Sequence, residues 1–156
     1  MNLENADNQV LFGTAGLEEP AWAANAAEYA LQALSTLGKQ HWQVSLTFCS
    51  DEVIQQLNRD YRGINAPTDV LSFSLDASEP GLDTTWYIAG DIIISIPAVY
   101  RNAEDFGVDA DEELRRLIVH GLLHLSGMDH ETNDPDHPML MLQEQILHRL
   151  GGRILS

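Results

Sequence analysis

The fold and the chemistry of this chain centre on one segment, HGLLHLSGMDH, at residues 120–130. On a helix, His120 and His124 are one turn apart, so both imidazoles leave the same face. Gly127 is well placed to end that helix, because glycine readily adopts the left-handed backbone that a helix C-terminus often needs. The chain can then turn and bring His130 back toward the other two. Three converging imidazoles, with no fourth protein ligand evident nearby, are typical of an open Zn²⁺ site. We therefore expect one zinc ion per chain.

The same spacing, His-x-x-x-His-x-x-Gly-x-x-His, resembles that of the metzincin zinc peptidases. Those enzymes have Glu after the first His as a general base, whereas Gly121 has no side chain to accept a proton. With three His ligands, Zn²⁺ keeps a position for water and lowers its pKa to about 7, so hydroxide is available without that Glu. Asp129, beside His130, is a candidate to fix an imidazole tautomer or relay a proton. A solvated acid in a turn is the alternative interpretation of Asp129.

The composition indicates one folded domain over residues 1–156, since 44% of the residues are hydrophobic and three are Trp. The formal net charge is −16, from 24 Asp and Glu against 8 Lys and Arg. Such a charge argues against general nucleic-acid binding but leaves room for a local basic site. A lone cysteine, Cys49, excludes an internal disulfide and fits a reducing cytoplasm. No signal peptide is recognisable, and no stretch reaches the about 18 apolar residues of a membrane span.

Apolar periodicity predicts an α+β fold, in which a small mixed β-sheet packs with about five helices. Residues 1–18 are expected to be irregular or to contain a short edge strand at 10–12. The further predicted elements are helix 22–37, strand 42–48, helix 51–62, strand 68–74, strand 88–96, helix 97–103, a helix that starts within 109–113 and runs to 125, and a helix that begins after Pro138 or slightly earlier and ends at 151–152. Gly121 inside a helix costs about 1 kcal/mol relative to Ala, which indicates that another group approaches it closely. The helix carrying the two histidines is expected to be a zincin-like active-site helix.

Four segments occur in a recognisable order: Tyr61-Arg62, Pro67–Phe73 (PTDVLSF), Gly90–Ser95 (GDIIIS) and residues 120–131 (HGLLHLSGMDHE). In sequence and order they resemble the YbeY family of endoribonucleases. The resemblance covers roughly residues 43–150, and the histidine segment is its most specific part.

The resemblance implies a single-strand-specific, zinc-dependent endoribonuclease. It implies action in ribosomal RNA maturation, at the 3′ end of the small-subunit RNA, and in ribosome quality control. The family's metal ligands carry over to His120, His124 and His130, and its functional arginine to Arg62. The implied partners are single-stranded or ribosomal RNA, the small ribosomal subunit and its assembly factors, in the cytoplasm, without DNA or a membrane. From physical chemistry alone, Arg62 fits either a phosphate contact or a solvated surface position.

Two other functions stay open on the sequence. One is a zinc hydrolase of peptides or small molecules, and the other is a non-catalytic ribosome-assembly factor with structural zinc. A structural site is normally closed by a fourth ligand, often Cys, so a fold that brought Cys49 to the histidines would favour the assembly factor. Cys49 lies in an apolar run and is expected to be buried. The remaining histidines, His41, His137 and His148, are expected to be structural or surface residues.

Overall fold

A mixed sheet of five strands lies at the centre of the protein, whose computed structural model describes residues 1–77, 86–129, 134 and 137–155. The elements are, in chain order, β1 Asn2–Glu4, β2 Gln9–Ala15, α1 Ala23–Thr36, β3 Trp42–Cys49, α2 Asp51–Arg62, β4 Val70–Ala77, β5 Tyr87–Ser95, α3 Ile96–Phe106, α4 Ala110–Leu125 and α5 Pro138–Leu150. They confirm the predicted α+β fold with a small mixed sheet and about five helices. None of the helices in these ranges is long and apolar enough to cross a membrane.

The strands are arranged in the order β1-β2-β3-β5-β4. β3 pairs in parallel with β2 and β5, while β1 and β4 are antiparallel strands at the two edges. The prediction of an edge strand at 10–12 is wrong, because that segment belongs to β2, whose backbone is paired on both sides. Val10 faces Leu3 of β1 on one side and Val44 of β3 on the other. Residues 1–18 do contain an edge strand, but it is β1.

The two faces of the sheet carry different helices, because successive residues of a strand point to opposite faces. On β5, Ile92 and Ile94 join the main hydrophobic core, which also holds buried residues of α1, α4 and α5. Ile93, between them, packs with a smaller cluster that contains Cys49 of β3 and Ile54 of α2. The edge strand β4 contacts both α2 and α4. Residues from the two helices can therefore meet beside this edge.

Helix α4 lies close to the sheet at a glycine. A Cβ built on Gly121 would lie 2.8 Å from Cγ2 of Ile92 on β5, a distance that real Cβ atoms essentially never show. This confirms the expectation that another group approaches position 121. The helix ends at Leu125, and Gly127, with φ +94°, donates its N–H to the carbonyl of His124 at 3.0 Å. The predicted role of Gly127 in ending the helix is confirmed.

Candidate metal centre

Two histidines project from α4 into one cleft. The rings of His120 and His124 have centroids 4.6 Å apart and an interplanar angle of 74°. Their Nε2 atoms are 3.0 Å apart. The one-turn spacing on α4 therefore puts both imidazoles on the same face, as the sequence predicts. His130, the third predicted ligand, lies outside the described residues.

The cleft has a volume of about 960 Å³ and is lined by four helices and one strand. Arg62, the last residue of α2, and Phe106, the last residue of α3, line it together with β4, α4 and α5. Arg62 thus shares the cleft with the two histidines, from which it is distant in sequence. The fold brings together the two segments that carry the predicted site.

The Nδ1 atom of His120 has a partner on α5. Gln143 Oε1 lies 2.7 Å from it, and the amide nitrogen of Gln143 donates to Glu144 Oε2 at 3.1 Å. Glu144 in turn accepts two hydrogen bonds from Arg116 of α4, at 2.8 and 2.9 Å. A continuous chain of polar contacts therefore runs from Arg116 through α5 and back to the first histidine.

Sequence reasoning missed Gln143, although a signal was present. It occupies the buried stripe of α5 that also holds Met139 and Ile146, four residues before and three after. A polar residue on an apolar stripe must find a hydrogen-bond partner when it is buried, and Gln143 is only 5% exposed. What the sequence cannot show is that this partner is His120, because the pairing depends on how α5 packs against α4.

His124 has an acidic neighbour in the turn after α4. Its Nδ1 atom is 4.0 Å from Oδ1 of Asp129, whose side chain is 83% exposed. That separation exceeds a hydrogen bond but lies within ion-pair range. The predicted role of Asp129 in fixing an imidazole stays a prediction.

The two arginines of the cleft differ in how their charges are compensated. Arg116 contacts Glu112, Glu113 and Glu144, and the hydrogen bonds with Glu144 raise its pKa. Arg62 is exposed, and no ion pair or hydrogen bond to its guanidinium occurs among the residues that the structure describes. Arg62 is therefore the cleft arginine whose charge is available to a ligand.

A carboxyl group is buried deeper in the cleft wall. Burial raises the pKa of Glu113, although a hydrogen bond from Asn102 and the charge of Arg116 act in the opposite direction. The Asn102 amide donates to Glu113 at 3.1 Å and also to Asp69 at 2.9 Å. This arrangement joins the C-terminal half of α3 to α4 and to the loop before β4.

The two histidines fit part of a zinc coordination sphere. Zinc binds His nitrogens at about 2.0–2.1 Å with tetrahedral geometry, which places two ligating nitrogens about 3.3 Å apart. The Nε2 atoms of His120 and His124, at 3.0 Å, are close to that separation. Within the described ranges, no group of three His, Cys, Asp or Glu side chains could hold a metal ion. A zinc site built on this pair would need a further ligand from outside those ranges, and His130 is the residue that the sequence predicts for it.

Cys49 is not part of this site. It is buried in the cluster with Ile54 and Leu71 under α2, as expected, and burial raises the pKa of its thiol to about 11. It does not line the cleft. A structural zinc site closed by Cys49, the arrangement that would favour an assembly factor, is therefore disfavoured.

His137 has a structural contact away from the histidine pair. It is the N-cap of α5, and its Nδ1 accepts a hydrogen bond from the Met139 N–H at 3.2 Å. His148 lies in the last turn of the same helix and is exposed. His41, also exposed, stands before β3 with φ +61°. These positions agree with the expectation that the three are structural or surface residues.

With this geometry established, comparison with known proteins decides the family. The family profile described as Endoribonuclease YbeY matches residues 4–151. The chain belongs to the YbeY family. The resemblance seen in the sequence is confirmed, and the match extends further toward the N-terminus than the motifs alone indicate.

Individual known proteins are similar to this chain over most of their length. A Treponema pallidum (strain Nichols) protein named Endoribonuclease YbeY is 45% identical over 150 residues, covering 96% of this chain and 93% of the relative. One from Treponema denticola with the same name is 50% identical over 117 residues, covering 74% and 76%. A Thermotoga maritima protein solved in solution superposes with a TM-score of 0.61 at 27% identity, covering 89% and 87%.

Proposed function

We propose that this protein is a metal-dependent endoribonuclease that cleaves single-stranded RNA in ribosomal RNA maturation. His120, His124 and His130 would hold one zinc ion, and Arg62 would bind the phosphate that is attacked. The observation that carries the proposal is the meeting of the two Nε2 atoms, 3.0 Å apart, in an open cleft that Arg62 also lines. Membership of a family described as endoribonucleases supports RNA as the substrate.

The zinc ion and Arg62 would contribute different parts of the chemistry. When bound, a zinc ion supplies positive charge at a phosphoryl oxygen and lowers the pKa of bound water to about 7. The guanidinium of Arg62 presents parallel N–H donors that match two phosphate oxygens. Its role is to hold the phosphate and to offset the charge that builds up in the transition state. Water and the RNA 2′-hydroxyl both remain available as the nucleophile.

The cleft also offers aromatic surface to unpaired bases. The side chain of Phe106 is 68% exposed where it lines the cleft. Tyr61, adjacent to Arg62 in sequence but not itself in the lining of the cleft, is also exposed, and its ring centroid is 5.1 Å from that of Phe73. Bases of a single strand can stack on such rings, whereas bases in a duplex are already stacked on one another. These rings support a single-stranded substrate.

The net charge of the chain favours a substrate RNA that is already bound to a larger particle. A net charge of −16 opposes the long-range attraction that most RNA-binding proteins use. RNA on the small ribosomal subunit, with assembly factors nearby, would be positioned by other surfaces. The proposal therefore extends to ribosomal RNA on that subunit as the substrate and to the cytoplasm as the location.

The test combines zinc analysis with cleavage assays on a single-stranded RNA. We expect His124→Ala to lose both bound zinc and cleavage. Arg62→Gln should keep zinc and lose about 100-fold or more of the cleavage rate, as expected when a charge that stabilises the transition state is removed. Arg149→Gln is the matched control, because Arg149 is an exposed arginine that does not line the cleft.

Other outcomes would contradict the proposal. Unchanged RNA cleavage by Arg62→Gln would remove the assigned role of Arg62. Cleavage of an unstructured peptide but not of RNA would favour the peptide hydrolase. Stoichiometric zinc with neither activity would favour a non-catalytic assembly factor.

A further inference from the structure

We propose that Gln143 is a positioning residue, whose side-chain amide holds His120 in the tautomer that has its proton on Nδ1 and leaves Nε2 unprotonated, as a metal ligand must be. The inference rests on the metal site proposed above and names a residue on another helix that prepares this site. It follows from the donor and acceptor roles along the chain of contacts from Arg116 to His120.

The orientation of the Gln143 amide is fixed by its neighbour. Glu144 is a carboxylate that accepts hydrogen bonds from Arg116 at 2.8 and 2.9 Å, and an ionised carboxylate can only accept. The Gln143 atom that lies 3.1 Å from Glu144 Oε2 must therefore be the –NH₂ group. Its amide oxygen is then the atom directed at His120.

The position of the imidazole proton follows from that orientation. An amide oxygen has no hydrogen to donate, so the 2.7 Å contact requires an N–H at Nδ1 of His120. A neutral imidazole has one N–H, and Nε2 of His120 consequently carries the lone pair. That is the atom that faces the second histidine, and an unprotonated ring nitrogen is what a metal ion needs.

The second histidine starts from the other tautomer. Because Nε2 of His120 accepts, the 3.0 Å contact between the two rings requires His124 to donate from Nε2. His124 must lose that proton before the same atom can bind a metal. Oδ1 of Asp129 lies 4.0 Å from Nδ1 of His124, which is beyond hydrogen-bond distance. The contact with Gln143 thus prepares His120 for the metal in advance.

Packing alone does not require glutamine at this position. Gln143 is buried on the apolar stripe of α5 between Met139 and Ile146, where an unbranched apolar side chain of similar length would also fill the space. A purely structural role would therefore survive replacement by methionine. A role in setting the tautomer would not.

The first experiment measures the tautomer in the metal-free protein. Long-range ¹⁵N–¹H NMR spectra report which ring nitrogen of each histidine carries the proton. We expect His120 to show the Nδ1–H form in the wild type and to lose this preference in Gln143→Met. Gln145→Met is the matched control, since Gln145 is exposed on the same helix and should leave the spectrum of His120 unchanged.

The second experiment measures zinc affinity by competition with a chelator. Loss of a partner that orients a ligating imidazole typically weakens metal binding by about 10- to 100-fold, which is the loss we expect for Gln143→Met. Gln143→Glu should retain most of the affinity and the Nδ1–H signature, because a carboxylate also accepts from Nδ1. Urea unfolding of each variant separates these effects from a loss of folding, and Gln143→Glu keeps the test available if Gln143→Met does not fold.

The results that would overturn the inference are specific to Gln143. If Gln143→Met keeps the Nδ1–H tautomer of His120, or binds zinc like the wild type, then Gln143 does not position this ligand. If the wild type itself takes up no zinc, the proposed metal site fails. The NMR comparison on metal-free protein would still decide whether Gln143 sets the tautomer.

Discussion

At the scale of single residues, the cleft separates charges that stabilise the fold from one that is available to a substrate. Arg116 is surrounded by three carboxylates, whereas Arg62 has no carboxylate partner within the described part of the chain. Glu113 differs from the exposed Arg62 in that its charged group is buried. These differences lead to distinct expectations for stability and for substrate binding.

Replacing Glu113 with Gln should change how stability depends on pH. Burial raises the pKa of Glu113 above its ordinary value of 4.5, so the folded protein keeps this proton more readily than the unfolded chain. The folded state therefore loses stability as the pH rises from 4.5 through the folded-state pKa. Glu113→Gln removes that loss, so its free energy of unfolding relative to wild type should be more favourable at neutral pH than at pH 4.5. Urea unfolding at the two pH values measures this difference.

Glu112→Gln is the matched control for that experiment. Glu112 contacts the same arginine at the same 3.5 Å distance, but its side chain is 39% exposed. Because this side chain is exposed, Glu112→Gln should alter the pH dependence of stability less than Glu113→Gln does. If the stability of Glu113→Gln relative to wild type does not vary with pH, then burial does not raise the pKa of Glu113.

Phe106 supplies a second prediction at this scale, on substrate binding. Stacking of a base on an aromatic ring contributes about 1–3 kcal/mol. Phe106→Ala should therefore raise KM for a single-stranded RNA by about tenfold, with a smaller effect on kcat and none on bound zinc. Tyr100→Ala is the control, because Tyr100 is an exposed aromatic residue of the same helix that does not line the cleft. Equal KM values for the two variants would contradict a stacking role for Phe106.

At the scale of secondary-structure elements, the helix ends follow from local chemistry. The Ser50 hydroxyl accepts from the Val53 N–H and begins α2, and Gly63, with φ +72°, ends it. Asp109 caps α4 in the same way through the Asp111 N–H. Each signal involves residues within a few positions of one another, and for this reason the sequence predicted these boundaries closely.

Contacts between elements were harder to predict, because they depend on packing between distant segments. The sequence placed a strand near Val10 but not its second neighbour, since nothing local shows that β1 covers this edge. In the site, the pair His120 and His124 was predictable from a one-turn spacing. The contact of Gln143 with His120 and the entry of Phe106 into the cleft arise only when α3, α4 and α5 come together.

The contact of α4 with β5 leads to a prediction at this scale. Gly121→Ala should lower the free energy of unfolding, because the added methyl group would lie 2.8 Å from Ile92. Overpacking of a core costs about 1–3 kcal/mol, while the better helix propensity of Ala returns about 1 kcal/mol. We therefore expect a net destabilisation of up to about 2 kcal/mol in urea unfolding.

Two further variants make that measurement specific. Gly13→Ala, in β2, is the control, because a Cβ there meets nothing within 4 Å and the variant should be close to neutral. Adding Ile92→Ala to Gly121→Ala should cost less than the sum of the single effects, since each relieves the crowding or cavity made by the other. If the changes in unfolding free energy are strictly additive, then α4 moves away from Ile92 and the added methyl group does not clash with it.

At the scale of the whole molecule, a strongly acidic chain in which Arg62 is the one cleft arginine without an ion pair to the described residues should show an unusual response to salt. Each phosphate neutralised on a single strand contributes a slope of about −0.7 to the logarithm of affinity against the logarithm of salt concentration. One contact through Arg62 therefore predicts only about a threefold loss of kcat/KM on a fourfold increase in salt. Screening of the repulsion from the net charge of −16 reduces this loss further.

Cleavage of a short single-stranded RNA, followed between about 50 and 200 mM KCl, measures that slope. We expect a shallow decrease for the wild type and a flat or rising dependence for Arg62→Gln, in which only the screened repulsion remains. A basic protein with 6–10 phosphate contacts would lose about 10³–10⁵ in affinity over the same range. A steep loss in this protein would mean that several cations beyond Arg62 contact the RNA. The assignment of the substrate phosphate to one arginine in an otherwise repulsive field would then be wrong.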